Sequence, residues 1–513
     1  MPNKKPLETI TIGAGIVFLG LIMSKILGFF YRLIVARIGT EEFGLLSLGL
    51  VIYGVFVVIS MLGLNEGVLR YVSYYREKKE FSKVKGTLIY SLKLTSLISI
   101  IFAILMFIFS DFISIKIFHD QRLSIILKIV SFAIPFDVFR NILYEVAKAY
   151  KKIQYMVISK NIVENLTKVI LTSIFVYLGF GVIGAAWAYS LAILASFSLI
   201  FFNIEKNVFS FIKNKIASVY DKKQLLSYSI PLLFYYAVIL AISWIDTLFL
   251  GIFKTASDVG IYNASLPISS LIYLFPTALL ALFVPVLTDL YANKDEKKFS
   301  LTYTTVTKWI FMINLILLSM FIIFPKKILL TLFGSSYVSG YSALIALSIG
   351  SFFYALSLTS NQLLLVYERT KTISLITSIG ALMNIIFNFI LIPKYGILGA
   401  GIATAISLII MSLSFFIISF KITKINPYKS PYQRIIISAI ISSIAAYYLI
   451  KLFNFLPNLM SLILTAIILS VFYFIILLIT RSINEDDLII LRLIQNKLNI
   501  RIPFLNKLIR KFI

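Results

Sequence analysis

The segment S-K-I-L-G-F-F-Y-R-L-I-V-A-R, residues 24–37, lies in a run from Ile10 to Ile38 that is apolar enough to cross a lipid bilayer. Two cations, Lys25 and Arg32, stand inside this run. A charged side chain at bilayer depth costs about 3 kcal/mol or more, so such residues normally face a bundle interior or a water-filled cavity. The segment therefore predicts a membrane-spanning helix whose cationic face meets water or a ligand.

The composition of the whole chain agrees with a membrane protein. Hydrophobic residues make up 60% and charged residues 14% of the sequence, and the mean hydropathy is +0.96. A soluble domain carries about 25% charged residues. We find about fourteen runs of the roughly 20 apolar residues that a span needs. They lie near 9–36, 42–69, 86–110, 123–147, 156–178, 182–204, 225–252, 259–290, 301–324, 338–366, 372–392, 396–420, 434–453 and 459–480.

The basic residues between these runs predict the orientation. With the N-terminus in the cytoplasm, the segments 70–85, 206–223 and 481–511 carry many more lysines and arginines than the outer loops. The positive-inside rule then predicts a multi-pass cell-membrane protein with both termini cytoplasmic. The formal net charge of +26 is explained mainly by this asymmetry. Nucleic acid is therefore not a predicted partner.

Few residues could support catalysis or metal binding. The chain has no cysteine and one histidine, His119, which argues against thiolate metal sites and imidazole chemistry. A polytopic glycan polymerase or transferase would need catalytic groups on sizeable outer loops, and the outer loops are short. We therefore predict no catalytic residue, metal or cofactor, and a transporter rather than an enzyme.

Two motifs occur twice in the sequence. F-G-V-I-G-A-A-W-A at 180–188 matches Y-G-I-L-G-A-G-I-A at 395–403, and E-E-F-G-L-L-S-L at 41–48 resembles S-D-V-G-I-Y-N-A at 257–264. The second match aligns Gly44 with Gly260. Both pairs are separated by nearly the same interval, which indicates an internal duplication.

The duplication predicts the domain organisation. Each unit holds six spans, and an even number preserves orientation, so we expect two parallel six-helix lobes related by a pseudo-two-fold along the membrane normal. The fold class is then an all-α polytopic membrane protein with lobes at 1–210 and 211–424. Two extra helices at 425–481 and a basic amphipathic cytoplasmic tail at 482–513 follow. Transporters built from such repeats bind substrate between the halves and work by alternating access.

Polar residues inside the spans are candidates for a central vestibule. In the first half they are Lys25, Arg32, Asn65, Glu66, Arg70, Asp137, Arg140, Glu145, Asn161, Glu164, Asn165 and Lys168. In the second half they are Asp246, Asn361, Gln362, Asn384 and Asn388. The vestibule is therefore predicted to be lined with cations, contributed mostly by the first half.

Arg32 and Arg140 lack an obvious partner on their own helix faces and are the strongest candidates for contacting an anion. The planar guanidinium binds two phosphate oxygens at once. Lys25 has an alternative role, because its long side chain could extend toward the membrane interface. Arg70 lies near the cytoplasmic end of its helix and could serve orientation alone.

Several other residues have two open interpretations. The pairs Glu66–Arg70 and Glu164–Lys168 have helical i,i+4 spacing and could only stabilise packing. Asp246 could bind a coupling Na⁺ or H⁺, or could be structural. The prolines at nine-residue spacing in the run 259–290 could form a hinge or a static bend. They are Pro267, Pro276 and Pro285.

The stretch L-G-F-F-Y-R-L-I-V-A-R-I-G-T-E-E-F-G-L-L-S-L, followed by L-G-L-N-E-G-V-L-R-Y-V-S, resembles the polysaccharide and lipid-linked oligosaccharide flippases of the MOP exporter superfamily. The resemblance covers the first twelve predicted helices. It implies movement of a polyprenyl-phosphate- or diphosphate-linked glycan to the outer leaflet. It further implies that Lys25, Arg32, Arg70 and Arg140 contact the phosphate and sugars, and that the last two helices help to form a groove for the lipid.

The alternative within the superfamily is a multidrug and toxic compound extrusion exporter. Such proteins carry cationic compounds, and a lumen of lysines and arginines has the wrong sign for that cargo. The buried acids of the first half each have a cation nearby in sequence, so no bare acidic pocket is predicted there.

Overall fold

A computed structural model describes residues 4–213, 216–428, 431–453, 456–484 and 487. Within these ranges all regular secondary structure is helical. The α-helices are α1 (Lys4–Ala36), α2 (Thr40–Met61), α3 (Leu64–Glu77), α4 (Phe81–Ile108), α5 (Ser110–Phe112), α6 (Arg122–Ser131), α7 (Ile134–Ala149), α8 (Ile153–Met156), α9 (Glu164–Tyr177), α10 (Gly181–Asn207), α11 (Lys222–Phe253), α12 (Ala256–Ser269), α13 (Leu274–Ala292), α14 (Glu296–Ile323), α15 (Pro325–Leu332), α16 (Tyr341–Val366), α17 (Thr370–Thr423), α18 (Tyr432–Lys451) and α19 (Asn458–Ile479).

Short irregular turns join or extend some of these helices. Wide π-helical turns span Ile113–Ile117 and Val157–Val163, and 3₁₀ turns span Ser270–Tyr273 and Ser335–Gly340. The π turn at Val157–Val163 runs directly into α9 and joins it to α8. Such wide turns are rare overall, and those that occur often lie near functional sites.

Eleven helical segments in the described ranges are long and apolar enough to cross a membrane. The predicted all-α membrane architecture is confirmed, whereas the count of about fourteen spans is not. The predicted spans 123–147 and 156–178 consist of shorter helices, α6 with α7, and α8 with α9. Both carry buried charged residues, which lower their hydropathy.

The repeated glycines make similar backbone turns. Gly181, at the start of α10, has φ 53°, and Gly396, inside α17, has φ 57° and ψ −129°. Left-handed backbone of this kind is accessible to glycine at little cost and strained for other residues. The turn at Gly396 divides α17 into two helices, 370–395 and 397–423, which correspond to two separately predicted spans.

The chain forms two compact units, Met1–Asn263 and Ala264–Ile513. Helix α11 belongs to the first unit, whereas the predicted boundary after residue 210 assigns it to the second lobe. Glycines on α3 and just before it explain this packing. A Cβ atom on Gly63 would lie 2.2 Å from the Ser229 carbonyl oxygen, and one on Gly67 would lie 2.1 Å from the Ser229 Oγ. The lobe boundaries drawn from the repeat stay a prediction.

A second glycine contact in the first unit joins α2 to α12. A Cβ atom on Gly44 would lie 1.7 Å from the carbonyl oxygen of Ala256, and one on Gly260 would lie 2.0 Å from that of Thr40. The Ser257 hydroxyl also donates to Thr40 Oγ1 at 2.8 Å. Gly44 and Gly260 are equivalent in the duplication, so the contact is reciprocal, as in an interface with local two-fold symmetry.

In the second unit, α19 and a residue that follows it form hydrogen bonds and an ion pair with α14. The Tyr473 hydroxyl of α19 donates to the Met312 carbonyl at 2.9 Å. Asp487 is buried, accepts from Trp309 Nε1 at 2.9 Å and forms an ion pair with Lys308. Residues 488–513, which contain most of the predicted amphipathic tail, lie outside the described residues.

The start of α14 is stabilised by a side-chain cap. The Asp295 carboxylate accepts from the backbone N–H of Lys298 at 3.1 Å. The Lys298 ammonium lies 2.9 Å from the same carboxylate. These bonds hold the pKa of Asp295 below its usual range. A capped first turn marks where α14 begins.

The proline-rich run 259–290 is not one helix. It is divided into α12 and α13 by the 3₁₀ turn Ser270–Tyr273, which begins three residues after Pro267 and ends three residues before Pro276. Pro285 lies inside α13. A proline removes one backbone hydrogen bond and disfavours continuous helix before it, which accounts for the interruption. Hinge motion at these prolines stays a prediction.

Candidate substrate site

Helix α1 packs its small residues against the π turn before α9. A Cβ atom on Gly20 would lie 2.2 Å from Val157 Cγ1. The Asn165 side-chain amide donates to Ser24 Oγ at 3.1 Å. The small residues on this side of α1 therefore permit the close approach of another helix.

Lys25 and Arg32 are not covered by this contact. Lys25 is exposed and Arg32 is half-buried. Within the described part of the chain, neither forms an ion pair. The structure therefore leaves two cations on a membrane-length helix without a neutralising acid, as their position in the sequence suggested.

Arg140 has a different environment. It is buried, its Nε donates to Asp137 Oδ1 at 2.8 Å, and its Nη1 forms an ion pair with Glu164. Asp137 also accepts from the Tyr53 hydroxyl at 2.5 Å and from Asn141 Nδ2 at 2.7 Å. Burial of these charges is tolerated because nearly every polar atom has a partner.

The same network continues through Glu164 to Lys168. The Lys168 ammonium lies 2.7 Å from Glu164 Oε1 and 4.9 Å from the centre of the Tyr189 ring. The predicted Glu164–Lys168 pair is present, but the expectation that Arg140 has no acidic partner is wrong. Glu164 begins a different helix, α9, so its contact with Arg140 has no signature in local spacing, whereas the Asp137–Arg140 pair has i,i+3 spacing on α7.

The predicted Glu66–Arg70 pair is absent from the described structure. Glu66 instead accepts from the Tyr236 hydroxyl of α11 at 2.6 Å. The Arg70 guanidinium lies over the Tyr228 ring, 4.3 Å from its centre. The expectation that a cation neutralises Glu66 is therefore wrong. The packing of α11 on α3 gives both residues aromatic partners that their spacing did not indicate.

The two remaining buried acids of the described first unit, Glu145 and Asp246, also have partners. Glu145 pairs with Lys148 at 2.7 Å. Asp246 is buried and accepts from the Tyr262 hydroxyl at 2.5 Å. One residue further along α11, Thr247 accepts from Asn263 Nδ2 at 3.2 Å. Asp246 thus lies in a small polar cluster between α11 and α12.

The polar residues of the second unit lie in close packing. Asn384 and Asn388 are buried on α17, and the Asn384 amide donates to Thr404 Oγ1 at 3.1 Å. Asn388 Nδ2 donates to the Asn384 carbonyl at 2.9 Å. Asn361 and Gln362 are half-buried on α16. In the first unit, the predicted lumen residue Asn65 is buried on α3. Their role as lumen residues stays a prediction.

An apolar groove of about 520 Å³ lies between α14 and α18 in the second unit. Its walls include Leu315, Ile322, Ile440 and Tyr447, with Ser319 and Ser443 as small polar members. Helix α18 is the first of the two extra helices, and α14 supplies the opposite wall. The groove is thus not formed by the two extra helices alone.

The chain resembles known membrane proteins along most of its length. An uncharacterized membrane protein of Methanocaldococcus jannaschii is 26% identical over 386 residues, covering 72% of this chain and 76% of that protein. A putative O-antigen transporter of Shigella flexneri is 23% identical over 400 residues, covering 75% of this chain and 91% of that protein.

Solved structures show the same fold. The lipid II flippase MurJ, in an inward closed conformation, superposes with a TM-score of 0.68 at 21% sequence identity. The match covers 89% of this chain and 97% of MurJ. At this identity the likeness establishes the fold alone, which is an all-α polytopic membrane fold.

Family models give the most direct assignment. The model described as polysaccharide biosynthesis protein matches residues 10–291, more than half of the chain, and the MatE model matches residues 231–390. The first match includes α1 with its two unpaired cations and the Arg140 network. The superfamily resemblance of the motifs is confirmed, and the chain belongs to the polysaccharide biosynthesis protein family.

Proposed function

We propose that this protein is a flippase that moves a polyprenyl-phosphate- or diphosphate-linked oligosaccharide from the cytoplasmic to the outer leaflet of the cell membrane. Transport proceeds by alternating access and supplies the synthesis of a cell-surface glycan. The proposal places both termini in the cytoplasm, as the distribution of basic loop residues favours. It rests on the family, on the named activities of relatives such as the O-antigen transporter, and on the chemistry of α1.

The observation that carries the proposal is the pair of unneutralised cations on α1. Arg140 and Lys168 are balanced by Asp137 and Glu164, so their network has no net charge. Lys25 and Arg32 have no such balance in the described residues. A cation kept at bilayer depth without an acid favours a water-filled cavity and an anionic ligand.

The chemistry of these residues suits phosphate. A guanidinium donates two parallel hydrogen bonds to phosphate oxygens, and an ammonium adds a compact positive charge. We assign Lys25, Arg32 and Arg70 to the first contacts with the phosphate. Arg140 enters only as a further contact, for which an incoming phosphate competes with Asp137 and Glu164.

The drug-exporter alternative is less well supported. An exporter of organic cations needs an acidic group that is free to meet its cargo. Within the described first unit, Asp137 and Glu164 are paired with cations, and Glu66 and Asp246 each accept from a tyrosine hydroxyl, whereas Lys25, Arg32 and Arg70 form no ion pair. The sign of the available charge therefore favours an anionic substrate.

Two further assignments belong to the same proposal. Asp246, in its polar cluster with Tyr262, is the candidate site for a coupling Na⁺ or H⁺. The apolar groove between α14 and α18 is the candidate path for the polyprenyl chain. Its walls are branched aliphatic and aromatic side chains, which suit a hydrocarbon.

The proposal is tested with purified protein in proteoliposomes that contain a fluorescent polyprenyl-diphosphate-linked sugar. Membrane-impermeant dithionite quenches the label in the outer leaflet, so flipping appears as a growing quenchable fraction. We expect flipping with the wild-type protein and at least a tenfold lower rate with Lys25→Ala/Arg32→Ala, because two charge-assisted contacts are lost.

Arg37→Ala is the matched control, since Arg37 is an exposed arginine just beyond the end of α1 and lies outside the proposed site. It should flip the lipid at the wild-type rate. Wild-type flipping by the double variant would contradict the phosphate role of α1. Transport of organic cations without flipping by the wild-type protein would favour the exporter instead.

A further inference from the structure

Arg70 lies on an aromatic platform formed by α3 and α11. Its guanidinium carbon is 4.3 Å from the centre of the Tyr228 ring and 5.6 Å from that of Tyr71. The two rings meet edge to face, with centres 5.9 Å apart and planes at 85°. The arginine side chain is exposed, so the platform is open to a ligand.

Neighbouring hydrogen bonds keep this platform in place. Tyr71 is buried and stacks on Tyr75, with ring centres 6.1 Å apart. The Tyr75 hydroxyl donates to Asp221 at 3.2 Å and lies 3.3 Å from Gln224 Oε1. The rings beneath Arg70 are thus anchored to the start of α11.

The acid that could neutralise Arg70 is bound elsewhere. Glu66 is one helical turn earlier, at a spacing that favours an ion pair. It accepts from the Tyr236 hydroxyl at 2.6 Å instead. In the ranges that the structure describes, Arg70 forms no ion pair or hydrogen bond. Its N–H groups are therefore not satisfied by a carboxylate.

Stacking matters for anion binding because it restrains the guanidinium without using its donors. A cation over an aromatic face is held by the ring quadrupole, while the N–H groups point outward in the guanidinium plane. A preorganised fork loses less side-chain entropy when it binds two phosphate oxygens. An unstacked arginine at the same place would bind the same ligand more weakly.

We propose that Tyr228 and Tyr71 are positioning residues that hold the Arg70 guanidinium for its contact with the phosphate of the transported lipid. This inference rests on the proposed function. A phosphate headgroup of an ordinary bilayer lipid has the same chemistry, so the experiment separates the two sources.

The experiment measures binding to the full-length protein in nanodiscs of neutral phosphatidylcholine. Undecaprenyl phosphate and phosphatidylglycerol are titrated separately, and bound lipid is counted by native mass spectrometry. The variants are Arg70→Ala, Tyr228→Leu and Tyr228→Phe. The matched control is Tyr341→Leu, which removes an exposed tyrosine ring that lies 4.6 Å from the Lys326 ammonium and is not part of the platform.

We expect Arg70→Ala to weaken undecaprenyl phosphate binding about tenfold or more, because a charge-assisted contact is lost. Tyr228→Leu should weaken it about twofold to fivefold, the size of an exposed cation–π contact. Tyr228→Phe keeps the ring face and should restore the wild-type affinity. In the flipping assay, Tyr228→Leu should raise KM and leave kcat unchanged, and Tyr341→Leu should change neither.

Each alternative result has a distinct meaning. If Arg70→Ala weakens binding but Tyr228→Leu does not, the positioning role is overturned. If Arg70→Ala binds normally while the α1 variants do not, the Arg70 assignment is overturned and the flippase proposal stands. If both lipids lose affinity equally, Arg70 serves bilayer headgroups and its assignment to the substrate is overturned. If the wild-type protein does not prefer undecaprenyl phosphate, the proposed function itself fails.

Discussion

Arg140 is a buried guanidinium whose N–H groups donate to carboxylates from two helices. Asp137 lies one turn earlier on α7, and Glu164 begins α9. Removing two ions from water is costly, and their attraction compensates only when the remaining polar atoms are also bonded. Tyr53, Asn141 and Lys168 supply those bonds. The network therefore behaves as one unit, in which the loss of one member leaves the others uncompensated.

Replacing Arg140 with alanine should lower the free energy of unfolding by about 3–5 kcal/mol, because Asp137 remains buried without a cation and Glu164 keeps only Lys168. Denaturant unfolding of the purified protein in detergent measures this change. The control is Arg122→Ala, which removes an exposed arginine 2.8 Å from Glu41 and 2.7 Å from Asp120. Exposed pairs contribute about 1 kcal/mol or less. Equal, small losses for both variants would show that the Arg140 network is not a stabilising unit.

At the residue scale, local spacing predicted only part of the site. The Glu164–Lys168 pair follows from i,i+4 geometry and is present. The Arg140–Glu164 pair joins two helices, and the Tyr53–Asp137 bond joins residues 84 positions apart. Glu66 has the same local spacing to Arg70 as Glu164 has to Lys168. It nevertheless accepts a hydrogen bond from a tyrosine of α11 instead of pairing with Arg70. Tertiary packing decides these contacts, and a single sequence does not contain it.

Among the helices, close approaches depend on glycines at defined positions. Gly44 meets the backbone of α12 directly, whereas Gly54 on the same helix has no neighbouring atom within 4 Å of a Cβ position. Comparing the same substitution at the two glycines therefore separates the effect of helix contact from the intrinsic cost of glycine in a helix.

Gly44→Ala should destabilise the protein by about 1–3 kcal/mol, because the added methyl group forces α2 and α12 apart. Gly54→Ala should be neutral or slightly stabilising, since alanine has the higher helix propensity. Thermal unfolding in detergent compares the two variants with the wild-type protein. A similar change in both melting temperatures would indicate that the Gly44 contact contributes nothing to stability.

Element boundaries were predictable where the sequence contains strong local signals. The apolar runs located the helices, and the repeated glycines at 181 and 396 marked turns that the structure retains. The π turn at Val157–Val163 and the 3₁₀ turn at Ser270–Tyr273 were not predicted. Both change the hydrogen-bond pattern over a few residues without changing the hydrophobic pattern, so periodicity does not detect them.

For the whole molecule, the natural absence of cysteine makes orientation directly measurable. Lys116→Cys and Lys79→Cys introduce single thiols at exposed positions, one in the π-helical turn Ile113–Ile117 and one in the turn after α3. If the N-terminus is cytoplasmic, an impermeant maleimide added to intact cells should label Cys at position 116. Position 79 should react only after permeabilisation. The cysteine-free wild-type chain is the control, and the opposite labelling pattern would invert the predicted topology.

The class of molecule was predictable from the chain as a whole, because hydropathy and internal repetition are long-range averages. The number of spans was less predictable. The spans that carry the Arg140 network, 123–147 and 156–178, form shorter and more polar helices than a plain hydrophobic span. Charged residues inside a span lower its mean hydropathy, so such spans are harder to count from hydropathy alone.

The reciprocal contact of Gly44 with Gly260 has an evolutionary consequence. Each repeat contributes the same two surfaces, so two separate copies of an ancestral half-length chain would have met through the same glycine on each copy. The contact could then have joined a homodimer before gene fusion linked its subunits. After fusion, the two copies would have been able to diverge in sequence. One half would have gained cations while both halves kept the glycine at their contact.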